Sequence, residues 1–153
     1  MAMVSSSEIS NLTTSIPLPI KPKKIVIIGA GGIVNDAHLP AYKKAGFEVL
    51  GIFDPQRDKA EKCAKEFNIE KIYSSEEEAF LEKEVVFDIA VPPQVLIEVV
   101  KKIPEGSICQ LQKPMGNSMK DAKLIREIIK ERKIIACVNL QLKFSPMMIA
   151  LRE

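Results

Sequence analysis

An apolar run over residues 24–28 leads into a glycine-rich turn, and a segment with helical spacing follows. Gly29 can make the tight turn, because glycine tolerates a positive φ angle without steric cost. Gly31 has no Cβ, so the backbone could approach a diphosphate at the N-terminus of the helix, where free N–H groups favour anions. The strand–turn–helix order predicts a dinucleotide-binding turn. The groups expected to hold the diphosphate belong to the turn and the first helical residues: Gly29, Gly31, Gly32, Ile33 and Val34.

A second candidate is Asp54, which ends the apolar run 47–53 about 25 residues after Gly29. An acid about 20 residues beyond the first glycine binds the ribose in such folds. Its carboxylate could accept both hydroxyls of an adenosine ribose and would repel a 2′-phosphate, which favours NAD. Arg57 could pair with a 2′-phosphate, so NADP stays an alternative cofactor. In an alternative interpretation, Asp54 is an N-cap with Pro55 at the first helical position; both interpretations can hold.

The composition describes one globular domain. A chain of 153 residues, 46% of them apolar, is long enough to bury a core. The net charge of +2 argues against a nucleic-acid partner. Three cysteines without paired spacing suggest neither a disulfide framework nor a metal site. We expect reduced, mostly buried thiols in a cytoplasmic protein.

Two further features of the chain exclude membrane and secretory roles. The longest apolar or glycine run, residues 25–34, is far shorter than the ~20 residues that span a bilayer. The N-terminus lacks the basic start and apolar core of a secretory signal. Residues 1–22 are rich in Ser, Thr and Pro and are predicted to be a flexible leader.

Strand and helix patterns alternate after this leader. Such alternation predicts a doubly wound α/β fold, with six parallel strands in the order 3-2-1-4-5-6 and helices on both faces. Strands are predicted at 24–28, 48–53, 71–73, 86–91, 107–112 and 134–139. Helices are predicted at 32–45, 57–67, 75–81, 93–103 and 118–132. We expect a dinucleotide-binding domain over 23–140 and, over 141–153, the start of a connection toward a second domain that the chain lacks.

Four segments resemble one known family: His38-Leu39-Pro40-Ala41, Asp54-Pro55, Gln112-Lys113-Pro114-Met115 and Gln141-Leu142-Lys143-Phe144-Ser145-Pro146. Together they are similar to the glucose–fructose oxidoreductase / inositol dehydrogenase / rhizopine-catabolism (Gfo/Idh/MocA) family. The resemblance covers residues 23–153 and implies the N-terminal, nucleotide-binding half of such an enzyme, without the C-terminal α/β domain. It also implies hydride transfer between a hydroxyl and a carbonyl, mostly on sugars or cyclitols, with NAD or NADP.

The resemblance also implies roles for residues beyond the glycine turn. Lys113 matches a lysine that reaches toward the substrate and the nicotinamide, where an ammonium could stabilise an alkoxide or relay its proton. The alternative is a solvated lysine in a strand-to-helix loop. Pro92, Pro93 and Gln94 would line the channel beyond the fourth strand, and Asn139 would lie near the nicotinamide.

The chain departs from the family pattern in several places. Gln112 replaces the acid that precedes the lysine, and Gln110 stands where an apolar residue is usual. Val91 and Leu96 replace a hydroxyl-bearing residue and an imidazole. The acid–base Asp and His of the family belong to the second domain. We therefore expect His38 to be structural, packing near the glycine turn.

Three functions are compatible with these observations. The first is an NAD(P)-dependent oxidoreductase acting on a small polyol or sugar, represented by its nucleotide-binding domain. The second is a non-catalytic dinucleotide-binding or regulatory module, favoured by the departures. An S-adenosylmethionine-dependent methyltransferase ranks last, because it would leave the Lys113-Pro114 segment unexplained. No metal site is expected, and apolar residues at Phe144, Met147 and Met148 suggest pairing into a homo-oligomer.

Overall fold

The computed structural model describes residues 16–151, which form two compact units. The larger unit comprises residues 21–139. In the smaller unit, residues 16–20 group with residues 140–151. The leader predicted over 1–22 lies mostly outside the described residues. Residues 16–23 contain neither helix nor strand.

The larger unit is built on one sheet of six parallel strands. They are β1 (Lys24–Ile28), β2 (Val49–Phe53), β3 (Lys71–Ile72), β4 (Val85–Ile89), β5 (Ile108–Leu111) and β6 (Ile135–Val138). The spatial order β3-β2-β1-β4-β5-β6 confirms the predicted doubly wound fold. In such sheets ligands bind outside the carboxyl ends of the strands, where the strand order reverses between β1 and β4.

Helices connect the strands. A π-helical turn, Val34–His38, runs directly into α1 (Leu39–Ala45). The other helices of the larger unit are α2 (Arg57–Phe67), α3 (Glu76–Ala79), α4 (Leu96–Lys102) and α5 (Met119–Glu131). The smaller unit contains a 3₁₀ turn, Gln141–Phe144, and α6 (Pro146–Ala150). Within residues 16–151, no helix has the length and apolar character needed to cross a bilayer.

The segment after β4 differs from the prediction. The strand was expected to reach residue 91 and the next helix to begin at residue 93, but β4 ends at Ile89 and α4 begins at Leu96. Residues 92–95 instead form a turn in which the Val95 N–H donates to the Pro92 carbonyl at 3.1 Å. Proline at 92 and 93 provides no N–H for strand or helix, so the backbone turns here.

Both faces of the sheet are covered by apolar side chains, as alternation along β1 requires. Val26 and Ile28 lie in a core shared with α4 and α5. Ile25 and Ile27 lie in a second core on the opposite face, shared with Val34 and with residues of α1 and α2. The helices are thereby fixed on the sheet, with their N-termini near the carboxyl ends of the strands.

The three cysteines do not share one environment. Cys63 and Cys109 are buried, as expected, but Cys137 is exposed because it lies on the edge strand β6. Burial raises the pKa of the Cys109 thiol to about 12. Partial burial of the sulfur and then the nearby Asp88 carboxylate raise the pKa of Cys137.

We expect a thiol reagent to modify Cys137 slowly in the folded chain, because its sulfur is reachable although rarely ionised. Cys63 and Cys109 should react only after unfolding. Mass spectrometry of the native and denatured chain would count the modified thiols. Labelling of Cys109 as fast as Cys137 under native conditions would contradict this burial.

Candidate dinucleotide-binding site

A groove of about 440 Å³ lies beyond the carboxyl ends of β1, β2 and β4. Its volume falls in the range of small-molecule and cofactor sites. The lining residues come from the glycine turn, the ends of these strands and the helices that follow them: Ile28, Gly29, Gly31, Ile33, Phe53, Asp54, Pro55, Gln56, Lys59, Glu76, Ala90, Val91, Pro92, Val95 and Gln112. The groove thus opens at the point where the strand order reverses.

Gly29 makes the turn at the end of β1. Its φ angle is +104°, and its N–H donates to the Phe53 carbonyl at 2.7 Å. A Cβ at this position would lie 2.4 Å from the Ala90 carbonyl oxygen. Only glycine fits, because β4 passes directly beside the turn.

Gly31 has the opposite environment. A Cβ placed on it would meet no atom within 4 Å, so the space beside it is open. Among residues 16–151, no acceptor lies within hydrogen-bonding distance of the N–H groups of Gly31, Gly32 and Ile33. Three successive donors beside an open groove are what an anion at a helix N-terminus requires.

Val34 does not offer the N–H that was expected of it. That group donates to the Gly31 carbonyl at 3.0 Å and so closes the turn. The Val34 side chain is fully buried in the core between helix and sheet. The residue therefore positions the turn by packing.

Asp54 ties the glycine turn to the end of β2. One carboxylate oxygen, Oδ2, accepts from the Ala30 N–H at 2.7 Å, and Oδ1 accepts from the Gln56 N–H at 2.8 Å. Each oxygen can accept a second hydrogen bond. The N-cap interpretation is corrected, since Gln56 is the N-cap of α2 and Pro55 lies before the helix.

Lys59, and not the expected Arg57, is the cation that lines the groove. The Arg57 side chain is exposed and pairs with Glu61 at 2.7 Å, one turn along α2, and it does not line the groove. Lys59 lines the groove instead, together with a shallower neighbouring cleft that contains Gly32 and Lys62. Side chains two residues apart on a helix point in different directions, so Arg57 and Lys59 cannot both face the groove. The presence of two cations near Asp54 in the sequence did not show which one would.

Of the residues expected beyond β4, only Pro92 lines the groove; Pro93 and Gln94 do not. Several lining residues were not predicted: Gln56, Lys59, Glu76, Val91 and Val95. All of them lie in the turns or first helical turns that come after β2, β3 and β4, so the rule that ligands bind at carboxyl ends could have identified them.

Lys113 lies immediately after β5 and is exposed. It does not line the groove, but the preceding residue, Gln112, does. The Lys113 N–H donates to the Gln112 side-chain oxygen at 2.8 Å, and the Lys113–Pro114 peptide bond is cis. Lys113 thus lies outside the groove lining, next to a residue that belongs to it.

A buried polar cluster lies on the sheet face under α1, formed by His38, Tyr42, Asp88, Gln110, Gln112 and Asn139. His38, Asp88 and Gln112 are exposed by only 6%, 1% and 7%. The Asp88 Oδ2 atom lies 2.7 Å from His38 Nδ1 and 2.9 Å from the Tyr42 hydroxyl. His38 Nε2 lies 2.9 Å from the amide nitrogen of Gln112 and 3.1 Å from that of Asn139.

Strand register brings this cluster together. Asp88 pairs with Gln110, and Gln110 with Cys137, so their side chains share one face of β4, β5 and β6. Gln112 and Asn139 lie two residues further along their strands and return to the same face. Desolvation and then the Asp88 charge raise the pKa of the Tyr42 hydroxyl, which keeps it a donor.

His38 is therefore buried, and it is hydrogen-bonded to Asp88 on β4 and to Gln112 and Asn139, which directly follow β5 and β6. Asn139, expected near the nicotinamide, bonds to this histidine. Asp88 was the signal in the sequence that could have revealed the cluster. It is a charged residue inside the apolar strand 85–89, and a buried carboxylate needs hydrogen-bond partners.

Comparisons with known proteins agree with this geometry. A family model described as "Oxidoreductase family, NAD-binding Rossmann fold" matches residues 23–140. An uncharacterized protein of Saccharomyces cerevisiae is 30% identical over 115 residues, which cover 71% of this chain and 33% of that protein. The chain thus spans well under two thirds of the length of such relatives.

Solved structures share the fold. A UDP-N-acetylglucosamine 3-dehydrogenase from Acidithiobacillus ferrooxidans aligns with a TM-score of 0.74 and 20% identity, over 87% of this chain and 43% of that one. An oxidoreductase from Agrobacterium radiobacter, in complex with NAD+, L-tartaric acid and magnesium, aligns with a TM-score of 0.67 and 24% identity, over 80% and 36%. At these identities the likeness concerns the fold.

Proposed function

Since the chain belongs to the Gfo/Idh/MocA oxidoreductase family and contains its NAD-binding Rossmann fold, we propose that the groove binds NAD in preference to NADP. We propose further that the chain contributes the nucleotide-binding part of an enzyme that transfers hydride on a sugar or cyclitol. Residues 23–140 would be the nucleotide-binding domain, and residues 141–153 would lead toward a second domain.

The glycine turn carries this proposal. The N–H groups of Gly31, Gly32 and Ile33 have no acceptor among the described residues, and the space beside Gly31 is open. A pyrophosphate placed there would satisfy these donors at a helix N-terminus. The donor set fits the cofactor without displacing any described side chain.

Asp54 supports the choice of NAD. Its carboxylate is partly exposed, and each oxygen retains acceptor capacity beyond the bonds from Ala30 and Gln56. Two ribose hydroxyls could donate to it, whereas a 2′-phosphate would meet a negative charge. Lys59, which also lines the groove, offsets part of that repulsion.

Asp54→Asn is expected to weaken NAD binding about 10- to 100-fold, because one charge-assisted hydrogen bond is worth about 1.5–3 kcal/mol. NADP binding should change less or become tighter. Calorimetric titration with both cofactors measures the two affinities. Asp58→Asn, on an exposed carboxylate of α2, makes the same charge change outside the groove lining and should leave both unchanged.

The parent chain provides the broader test. Micromolar binding of either cofactor supports the function, and no binding of NAD or NADP would exclude it. Equal losses of NAD and NADP affinity in Asp54→Asn would mean that the aspartate acts only on the turn.

Lys113 is the proposed catalytic residue. When bound, the nicotinamide supplies the acceptor for a hydride from a carbinol carbon. The hydroxyl proton would pass to water, and the lysine ammonium would donate a hydrogen bond to the oxygen as that proton leaves. Lys113 directly follows Gln112, which lines the groove, and this adjacency supports the role.

Lys113→Met is expected to keep NAD affinity within about threefold, because an exposed charge contributes little to binding. In a protein that contains the proposed second domain, polyol-dependent reduction of NAD, followed by absorbance, should fall at least about 100-fold. A loss of NAD affinity above tenfold would instead place the lysine in cofactor binding.

A non-catalytic dinucleotide-binding module is the second candidate. It is favoured by Gln112, whose carboxamide is occupied by His38 and by the Lys113 N–H, so no ionisable group at position 112 accompanies the lysine. Such a module would bind NAD equally well but would show no polyol-dependent reduction even when the proposed second domain is present.

A further inference from the structure

The hydrogen bonds of the polar cluster have a single consistent direction. Asp88 can only accept, so the His38 Nδ1–H donates to its Oδ2 atom at 2.7 Å. On the far side, the Gln112 oxygen is committed to the Lys113 N–H at 2.8 Å, which turns the Gln112 NH₂ toward the imidazole. His38 Nε2 is then an acceptor without a proton.

These bonds form a continuous chain from the loop after β5 to the core of β4. Lys113 donates to Gln112, Gln112 donates to His38, and His38 donates to Asp88. Asn139 adds a second donor to His38 Nε2 at 3.1 Å. The two ends are anchored differently, since Asp88 lies within a strand whereas Lys113 lies in an exposed loop.

The cluster is not a ligand site. Among the described residues, every buried side-chain nitrogen and oxygen already has a hydrogen-bond partner within the protein. No group of three His, Cys, Asp or Glu within residues 16–151 could hold a metal ion. Satisfied networks of this kind fix geometry.

We propose that His38, held by Asp88 in the tautomer with the proton on Nδ1, is a positioning residue that fixes Lys113 through Gln112. The proposal rests on the proposed role of Lys113 and adds the device that holds this lysine. A carboxamide at position 112 is required for it, because a carboxylate could bond to Nε2 only if that nitrogen carried a proton.

The single histidine makes the tautomer directly measurable. In the ¹⁵N-labelled chain, long-range ¹⁵N–¹H correlation spectra should show a protonated Nδ1 and an unprotonated Nε2. Gln112→Glu, which keeps an acceptor for the Lys113 N–H, should leave both imidazole nitrogens protonated. A proton on Nε2 of the parent chain would overturn the proposal.

Two substitutions of His38 separate its hydrogen bond to Asp88 from its hydrogen bond to Gln112. His38→Asn retains a donor to Asp88 but is too short to reach Gln112, whereas His38→Gln reaches Gln112 without bonding to Asp88. We expect amide hydrogen exchange at Lys113 to accelerate about tenfold, relative to Ile27 in β1, in His38→Asn. His38→Gln should restore slow exchange at Lys113. Equal acceleration at Lys113 and Ile27 would show a merely structural role and overturn the proposal.

Gln112→Met covers the case in which both histidine variants unfold. It removes the carboxamide and keeps the length of the side chain, so Lys113 exchange should again accelerate relative to Ile27. Unchanged exchange would overturn the proposal.

These measurements need no cofactor, so the two proposals can fail separately. If NAD leaves the Lys113 amide resonance unshifted while the tautomer and exchange results hold, the network stands and the role of the lysine fails. If NAD shifts that resonance but His38→Asn leaves its exchange unchanged, the network proposal alone fails.

Discussion

Gly31→Val is expected to weaken NAD binding at least about 100-fold while the chain remains folded. A valine side chain would enter the open space beside the turn, where nothing lies within 4 Å of the added Cβ, and would displace the pyrophosphate from the N–H groups. Loss of two charge-assisted hydrogen bonds costs about 3–6 kcal/mol, and 1.4 kcal/mol is a factor of ten. Calorimetry measures the affinity, and the melting temperature should change by no more than about 3 °C.

Gly29→Val is the matched control, with the same new side chain two residues earlier. Its Cβ would lie 2.4 Å from the Ala90 carbonyl oxygen, and the φ angle of +104° is strained for any L side chain. We expect this variant to unfold or to melt more than about 10 °C below the parent. If Gly31→Val melted as early, or bound NAD like the parent, the placement of the pyrophosphate would be wrong.

Asp88→Ala is expected to destabilise the chain by about 3 kcal/mol or more. Asp88 is 1% exposed, and its removal leaves the His38 Nδ1–H and the Tyr42 hydroxyl without their acceptor inside the protein. Each buried donor left without its acceptor costs about 1–3 kcal/mol, and two donors are left here. Urea unfolding of the variant and the parent gives the difference in free energy.

Tyr42→Phe removes only one donor to Asp88 and should cost about 1 kcal/mol. The comparison separates the loss of the acceptor from the loss of one bond. A free-energy change below 1 kcal/mol in Asp88→Ala would contradict the hydrogen-bonded cluster.

Much of the fold could be predicted because its signals are local. Residues 57–67 form a helix with the predicted ends. Ser75 and Ser118 cap the helices that follow them by accepting from the N–H groups of Glu78 and Asp121, three residues on. Because crossovers between parallel strands are right-handed, only a few strand orders are then compatible with the predicted elements. The turn after β4 was not predicted, because the apolar pattern on either side of Pro92 and Pro93 suggested a strand followed directly by a helix.

The site was predicted less completely than the fold. Gly29, Gly31, Ile33, Asp54 and Pro92 line one groove, and each lies in the turn or the first helical residues that come after a predicted strand. Arg57 and Lys59 could not be ranked from the sequence, because the direction of each side chain depends on where α2 begins and how it packs. The Val34 N–H was assigned to phosphate, although the turn itself consumes it.

The sequence by itself determined the glycine turn and the acid at the end of β2, because each depends on spacing within a short stretch. It also determined the sheet order, because strand and helix patterns alternate and the crossovers are right-handed. Only the tertiary structure decided that His38, Asp88 and Gln112 form one hydrogen-bonded chain, since they are 50 and 74 residues apart from the histidine. Their meeting depends on the register of β4 and β5, and a slip of one residue would turn Asp88 or Gln112 to the other face. Periodicity shows which residues are buried, whereas register determines which polar groups meet.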